Sequence, residues 1–338
     1  MNHIPEIDFV IAWVDGNDPA WQAQKRKYLA EFLQDTSILD QGDYRYRDWD
    51  ILHYWFRAVE KFAPWVRKVH FLTCGQIPAW MNTAHPKLHV VNHWDYIPQA
   101  YLPTFNSHTI ELNMHRIEDL AEHFVYFNDD MFLTRPVEPE DFFVDGQPRD
   151  VFALDAIYCA TGSAGSYNCA DMEIINDNFN KKAQFKKHWR KWLRPCYGKA
   201  KVYRTLALLP WRWFPGFYYQ HLPSNFCKST LLKVWDVAGT ALDETCRNRF
   251  RGKGQINQWV FKFWQLAEGS FVPQPIRDGR CFHLRDKGVE GLCQTIEEGR
   301  YKLICINDTD QTTEFELKKE QIAASFDRIL PDKSGFEL

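Results

Sequence analysis

Short apolar runs that alternate with helical patterns are the feature that most constrains the fold of this chain. The runs predicted as buried strands are Asp8–Val14, Lys68–Thr73, Lys87–Trp94 and Val125–Phe127. Apolar side chains recur at helical spacing in residues 49–62 and in residues 108–124, which predicts a helix before the second strand and another before the fourth. Alternating strands and helices are typical of a mostly parallel sheet flanked by helices. We therefore predict an α/β fold.

Acidic side chains follow two of these strands directly. Asp15 and Asp18 follow the first strand, and Asp129 and Asp130 follow the fourth. Parallel sheets bind ligands at the carboxyl ends of their strands. Adjacent carboxylates repel each other, so a bound cation is one interpretation and a solvated turn that caps a helix is the other. A second Asn-Asp pair, at 307–308, also follows an apolar run, and two such tips can converge on one Mg²⁺ or Mn²⁺ ion.

The charge distribution is uneven in the middle of the chain. From residue 180 to residue 221 there are eleven Lys or Arg and no Asp or Glu, which leaves 30 of the 41 basic residues against all 44 acidic ones. Aromatic side chains are interleaved with these charges. A solvated basic face, an anionic membrane surface or a glycan acceptor are the interpretations, whereas nucleic acid is disfavoured because the remainder is so acidic.

Several classes of protein lack support in this sequence. No GxSxG, P-loop or GxGxxG pattern is present, which removes the motif basis for a serine hydrolase, a P-loop kinase or a dinucleotide oxidoreductase. The nine cysteines contain no CxxC pair, so we expect mostly reduced, buried thiols. No apolar run reaches the roughly 18 residues of a spanning helix.

Four blocks of sequence resemble one known family. They are IDFVIAWVDGNDPAW at 7–21, a long block at 45–133 that contains LPTFNSHTIE and FVYFNDDMFL, FYYQHLPSNFCKS at 217–229, and YKLICINDT at 301–309. Together they resemble the Stealth family of bacterial capsular-polysaccharide hexose-1-phosphate transferases, to which the animal lysosomal-enzyme N-acetylglucosamine-1-phosphotransferase is related.

The resemblance implies a GT-A-like core, a UDP-sugar donor and a divalent cation, Mg²⁺ or Mn²⁺. It implies transfer of hexose-1-phosphate or N-acetylhexosamine-1-phosphate to a glycan hydroxyl, with release of UMP and formation of a phosphodiester. A conventional glycosyltransferase of the same fold would release UDP instead. A glycan-binding or assembly protein without turnover is the alternative from another class.

The resemblance also implies roles for individual residues. By family position and strand-tip location, Asp130 and Asp308 are the predicted metal ligands. His221, in a loop, is expected to act as general base or acid, and Arg251 to clamp the transferring phosphate; Asp129 or Asp130 could serve as the base instead. The residues predicted to take part in catalysis are Glu111, Asp129, Asp130, His221 and Arg251. The residues predicted to bind the donor are Trp13, Val14, Asp15, Gly16, Thr104, Asn106 and Ser107.

The same reasoning divides the chain into three parts. We expect a nucleotide-sugar-binding half in residues 1–175, a basic aromatic helical insertion in residues 176–222, and a half that completes the active site in residues 223–338. The insertion would contact an anionic membrane or the acceptor, which would be a glycan or a lipid-linked glycan. We expect a cytoplasmic protein at the inner face of the cell membrane.

Overall fold

The computed structural model describes residues 6–32, 47–160, 165–276, 278–284, 289–308 and 312–338. Residues 45, 46 and 309, at the edges of two of the family blocks, lie outside these ranges. The strands are β1 (Ile7–Ala12), β2 (Val69–Thr73), β3 (Leu88–Asn92), β4 (His123–Asn128), β5 (Met131–Leu133), β6 (Phe143–Val144), β7 (Gln147–Asp150), β8 (Ser224–Cys227), β9 (Val272–Pro273), β10 (Gly279–His283) and β11 (Leu303–Asn307). The helices are α1 (Pro19–Phe32), α2 (Leu52–Phe62), α3 (His93–Tyr96), α4 (Ser107–Leu112), α5 (Gly165–Asn178), α6 (Lys181–Trp192), α7 (Lys199–Leu208), α8 (Lys228–Cys246), α9 (Trp259–Glu268), α10 (Val289–Glu297) and α11 (Phe315–Ile329).

The central sheet has the strand order β3-β2-β1-β4-β8. Strands β3, β2, β1 and β4 are mutually parallel, and β8 is antiparallel to β4. The predicted α/β class with a mostly parallel sheet flanked by helices is confirmed. The order runs outward from β1 to β3 and then returns to the other side of β1 with β4, so the direction of winding reverses between β1 and β4. Ligands of open α/β sheets bind at such a reversal, beyond the carboxyl ends of the strands.

A second sheet meets the first at this point. Its order is β10-β11-β5, with β10 parallel to β11 and β11 antiparallel to β5. Only Asp129 and Asp130 separate β4 in the central sheet from β5 in the second. A third, small sheet has the order β6-β7-β9.

The two faces of the central sheet bury separate apolar clusters, because side chains alternate along each strand. Phe9 and Ile11 of β1 pack in one cluster with α2, α10 and α11. Val10 packs in the other with α5, α8 and α9. The acidic residue of this strand, Asp8, is fully buried and bonded to Arg67 at 2.6 Å and to His70 at 3.0 Å. Burial alone would raise the pKa of Asp8, but the hydrogen bonds from His70 and Arg67 outweigh it and lower the pKa.

The predicted helix over residues 108–124 is wrong in extent. Helix α4 ends at Leu112, a single 3₁₀ turn follows at Met114–Arg116, and Phe124 belongs to β4. A helix cannot continue through Asp119, because this residue adopts a left-handed φ of 56°. Its carboxylate forms ion pairs with Arg67 and Lys68. Apolar residues of this stretch are buried without being helical, so their spacing alone gave a misleading signal.

The basic aromatic segment divides into a buried and an exposed part. Trp192 is fully buried and stacks on Phe152 with ring centroids 4.3 Å apart. The large exposed side chains of this segment are Trp189, Tyr203, Leu206, Trp211 and Trp213. The segment contains the helices α6 and α7, and its role as an insertion stays a prediction. Within the described ranges, no helix is both long and apolar enough to cross a membrane.

Candidate active site

A cleft of about 650 Å³ opens beyond the ends of β1 and β2. Trp13 and Asp15, two of the residues predicted to bind the donor, line it. Gln76, in the loop after β2, accepts a hydrogen bond from the Asp15 backbone at 2.9 Å and donates to the Asp18 carboxylate at 2.9 Å. These hydrogen bonds connect the loop after β1 to the loop after β2, so the wall of the cleft is held by contacts within the protein.

Two of the predicted donor-binding residues support this cleft from behind. Val14 packs against a small cluster that contains Trp21, Phe105 and Phe250. Gly16 is buried, and its carbonyl accepts a hydrogen bond from Gln22 at 2.8 Å. Neither residue lines the cleft, and contact of Val14 or Gly16 with a donor stays a prediction.

Carboxylates extend from the cleft to the end of β4. Desolvation raises the pKa of Asp48, which lines the cleft, and the charges of Asp50 and Asp15 raise it further. The side chain of Asp129 is exposed, but the protein atoms around it partly desolvate its carboxylate. This desolvation and the charges of Asp130 and Asp48 raise the pKa of Asp129 to about 7. A group of mutually repelling carboxylates at a strand-order reversal is an arrangement that a divalent cation stabilises.

Asp130 is the best-positioned of these carboxylates. Its backbone oxygen accepts a hydrogen bond from Ile306 at 2.7 Å, which ties the turn to β11. Its Oδ2 atom accepts a hydrogen bond from the Cys305 thiol at 3.2 Å and lies 3.7 Å from Nε2 of His221. Its Oδ1 atom is buried and has no hydrogen-bond partner among the described residues. An unpaired buried carboxylate oxygen is costly, so this atom marks where a bound group would complete the site.

His221 lies in the loop before β8, as the sequence predicts, and is 37% exposed. Desolvation lowers the pKa of His221, but the neighbouring Asp130 carboxylate outweighs it and leaves the pKa raised. The imidazole is therefore both accessible and held beside a carboxylate, which suits a group that exchanges protons.

Asp308 and Asp130 lie at the same end of two neighbouring strands. Asp130 precedes β5, Asp308 follows β11, and these strands are antiparallel with Cys305 opposite Met131. The Asp308 carboxylate pairs with Arg47, with Nε 3.0 Å from Oδ2. Joint binding of a metal by Asp130 and Asp308 remains a prediction, which would require Arg47 to share or release Asp308.

A second polar group brings Ser107, Glu111 and Arg251 together. The Ser107 hydroxyl is hydrogen-bonded to the Arg251 guanidinium and to the Glu111 carboxylate. Glu111 is 5% exposed and also accepts a hydrogen bond from the Gln258 backbone at 3.3 Å. Burial raises the pKa of Glu111 to about 7, against the opposing charge of Arg251. The charge of Arg251 opposes the rise in the pKa of Asp129, so Ser107, Glu111 and Arg251 lie near the acidic turn.

Asn106 and Thr104 are buried beside this group and are hydrogen-bonded within the protein. Asn106 is fully buried; its Oδ1 caps α4, and its Nδ2 donates to the carbonyls of Asn248 and Phe250. Thr104 is 5% exposed and accepts a hydrogen bond from the Asn106 backbone. The bonds to Asn248 and Phe250 hold the loop that leads to Arg251. Donor contacts by Thr104 and Asn106 stay a prediction.

Three residues of the site were missed by the sequence analysis. Asp48 lines the cleft, and its charge acts on Asp129 in the turn after β4. Arg47 forms an ion pair with Asp308, and the Cys305 thiol donates a hydrogen bond to Asp130. Only Cys305 left a usable signal, because it lies on the strand that leads to the Asn-Asp pair at 307–308. The expectation of mostly buried cysteines is also wrong, because only Cys227, Cys246 and Cys305 of the nine are buried, although all nine are free thiols as predicted.

A solved structure resembles this chain over most of its length. The galactosyltransferase LgtC, in complex with donor and acceptor sugar analogs, aligns with 94% of this chain and 95% of its own, at 9% identity and a TM-score of 0.36.

Family models and curated relatives match much more closely. The model of Stealth protein CR1, conserved region 1, matches residues 5–32, and that of Stealth protein CR2, conserved region 2, matches residues 45–150. The capsular polysaccharide phosphotransferase WcwK of Streptococcus pneumoniae is 38% identical over 339 residues, which cover 100% of this chain and 99% of the relative. The receptor polysaccharide phosphotransferase WefC of Streptococcus oralis is 39% identical over 335 residues, 98% of this chain and 99% of the relative. With such identity along its whole length, the chain belongs to the Stealth family.

Proposed function

We propose that this protein transfers a sugar-1-phosphate from a UDP-sugar to a hydroxyl of a glycan or a lipid-linked glycan, in the synthesis of a cell-surface polysaccharide. The full-length relatives named as polysaccharide phosphotransferases support this proposal. The observation that carries it is the unpartnered Oδ1 of Asp130 beside His221, at the strand-order reversal and next to a cleft. That arrangement combines a cation ligand, a proton-transfer group and space for a nucleotide sugar.

The donor set fits a hard divalent cation. Asp130 and Asp308 would hold Mg²⁺ or Mn²⁺ through carboxylate oxygens, the ligands these ions prefer. The orphaned Oδ1 of Asp130 is the observation that favours this interpretation. When bound, the ion would neutralise charge on the donor diphosphate.

The chain's own residues would do the rest of the work. The acceptor oxygen forms a bond to the phosphorus that carries the sugar, the bond from that phosphorus to UMP breaks, and the proton of the hydroxyl passes to His221. Arg251, fixed by Ser107, would hold the phosphate oxygens in line for this displacement. Trp13 and Asp15 would bind the uridine and ribose in the cleft. Asp129 is the alternative base, since its raised pKa suits proton exchange near neutrality.

Identifying the nucleotide product tests this proposal. The protein is incubated with a panel of UDP-sugars, Mg²⁺ and capsular glycan fragments, and the nucleotides and glycans are analysed by mass spectrometry. UMP together with a phosphodiester-linked product is expected. Release of UDP would establish a conventional glycosyltransferase, and absence of both turnover and metal-dependent donor binding would indicate a glycan-binding or assembly protein.

Substitution of Asp130 links the product to the site. Asp130→Asn should reduce turnover by about 10²-fold or more, because the one carboxylate that is lost is both the predicted metal ligand and the charged neighbour of His221. Asp332→Asn, an exposed acid elsewhere on the surface, is the matched control. A variant at position 130 that keeps most of its rate would exclude our assignment of the metal.

We also propose that the exposed part of the basic aromatic segment rests on an anionic membrane, at its inner face. Trp211 is 64% exposed and Tyr203 is 69% exposed, and residues 180–221 around them contain no Asp or Glu. Lys182, Lys186 and Arg190 are exposed and spaced by four, so they share one face of α6. Exposed aromatic rings beside Lys and Arg are typical of surfaces that lie on anionic lipid. Such a contact would bring the site to a lipid-linked acceptor.

A further inference from the structure

One group of side chains at the site has ligand chemistry that a magnesium enzyme does not need. Asp130, His221 and Cys305 each offer one ligand atom, and these three atoms all lie within 4.8 Å of one another. They come from three different parts of the fold: the turn before β5, the loop before β8, and β11. The set contains one oxygen, one nitrogen and one sulfur.

We propose that Asp130, His221 and Cys305 form a binding site for a thiophilic divalent cation such as Zn²⁺, and that its occupation inhibits the enzyme. The binding itself follows from the geometry, whereas the inhibition rests on the proposed function.

The distances suit a small tetrahedral ion. Oδ2 of Asp130 lies 3.2 Å from Sγ of Cys305 and 3.7 Å from Nε2 of His221. Zinc binds sulfur at about 2.3 Å and nitrogen or oxygen at about 2.0 Å, so tetrahedral ligand atoms lie about 3.5 Å apart. Small rotations of these side chains would therefore enclose the ion, and the Cys305 proton would pass to solvent as the bond to sulfur forms.

The ligand types decide which cation this site prefers. Thiolate and imidazole bind zinc strongly, whereas Mg²⁺ takes oxygen ligands almost exclusively. Three protein ligands leave a fourth position for water, and the partial exposure of His221 gives access from solvent. Cys281, opposite Cys305 on the parallel strand β10, is hydrogen-bonded to the Cys305 thiol and is a further thiol close to the site.

Two cations of different softness would thus compete for Asp130. A hard ion would use Asp130 with Asp308, and a soft ion would use Asp130 with His221 and Cys305. Zinc would withdraw from the reaction both the predicted metal ligand and the predicted proton acceptor.

Cobalt absorption tests the site without any substrate. Co²⁺ replaces Zn²⁺ in such sites, and a thiolate ligand gives it a charge-transfer band in the near ultraviolet that oxygen and nitrogen ligands do not. Titration of the reduced protein with Co²⁺ in the absence of oxygen should develop this band to one equivalent, and Zn²⁺ should abolish it. The band should be lost in Cys305→Ser and retained in Cys293→Ser, which removes a thiol of α10 outside the site.

Another thiol pair supplies a stringent control. Sγ of Cys159 lies 3.5 Å from Sγ of Cys169, so this pair is an alternative source of such a band away from the site. Cys159→Ser should leave the spectrum unchanged. A band that is absent from the parent, persists in Cys305→Ser, or disappears in Cys159→Ser overturns the proposed site. If Cys305→Ser does not fold, His221→Gln serves instead and should weaken Co²⁺ binding at least about tenfold; unchanged affinity would overturn the proposal.

Inhibition is measured separately. With Mg²⁺ in excess, the Zn²⁺ concentration that halves the rate should be at least about tenfold higher in Cys305→Ser than in the parent, each relative to its own zinc-free rate. Equal sensitivity overturns the inhibitory role. The cobalt result is independent of turnover, so failure of the proposed transferase activity would leave it standing.

Discussion

Neutralising the exposed face of α6 should release the protein from anionic membranes. The change replaces Lys182, Lys186, Lys187 and Arg190 with Gln, and all four side chains are exposed. None of them forms an ion pair with a carboxylate among the described residues, so their charge is available to a partner. Lys191 is left unchanged, because its ammonium donates to the Gly269 and Phe271 carbonyls at 2.7 Å and supports the fold.

The size of the effect follows from the number of charges. A Lys or Arg close to an anionic bilayer contributes about 1 kcal/mol to binding, so four contribute up to about 4 kcal/mol. That free energy corresponds to a loss of about 10³-fold in the partition coefficient. The exposed rings of Trp211 and Trp213 are unaffected by the change and would retain a weaker, charge-independent affinity.

Sedimentation with vesicles measures this loss. Binding of parent and variant is compared on vesicles of phosphatidylglycerol with phosphatidylcholine and on phosphatidylcholine alone, at low and at raised salt. The matched control replaces four exposed basic residues outside the segment, Arg26, Lys27, Lys253 and Lys333, with Gln. It changes the net charge equally and should bind like the parent.

Two results would refute this reasoning. One is equal sedimentation of parent and variant on anionic vesicles, and the other is equal loss in the variant and in the control. Retention of the parent by anionic capsular glycan but not by vesicles would identify the segment as an acceptor surface.

Two further predictions concern buried carboxylates. Asp8→Asn should lower the free energy of unfolding at pH 7 by about 3–5 kcal/mol, because Arg67 and His70 lose their buried partner. Since the pKa of Asp8 is lowered in the fold, this stability is present above about pH 4 and lost as the pH falls through the folded value, so urea unfolding should show a smaller difference at pH 3; equal differences at both pH values would contradict the ion pair. Glu111, with a pKa of about 7 in the fold and about 4.3 unfolded, destabilises the protein as the pH rises between these values, so Glu111→Gln should be more stable than the parent at pH 8 by up to about 4 kcal/mol but not at pH 4, while turnover falls. Calorimetry at the two pH values would detect a variant with no such gain, which would mean that Glu111 ionises without cost.

Local patterns in the sequence predicted the parts of the fold that depend on local order. The apolar run at β1 and the helical stripe at α2 are both present, because each buries side chains at its own regular spacing. The Asn-Asp-Asp turn lies at a strand end as predicted, since an apolar strand must stop where consecutive charges begin.

Features that depend on long-range contacts were not visible in the sequence. Asn106 looked like a ligand-binding residue before a helix, but its partners at 248 and 250 bury it. Lys191 looked like its exposed neighbours, although distant carbonyls hold it in the protein. Arg47 pairs with Asp308, 261 positions further along the chain. In each case the environment is set by residues far away in sequence, which spacing cannot report.

The turn that carries Asp129 and Asp130 connects two sheets, because β4 before it pairs with β1 in the central sheet and β5 after it pairs with β11 in the second sheet. The position of the acidic pair is therefore dictated jointly by the N-terminal and C-terminal parts of the chain, whereas the residues that line the cleft after β1 all lie between Trp13 and Trp80. Substitutions in β11 would therefore change the surroundings of the carboxylates without replacing any residue that lines the cleft. Selection of the donor and the rate of the reaction can accordingly diverge by separate substitutions in this architecture.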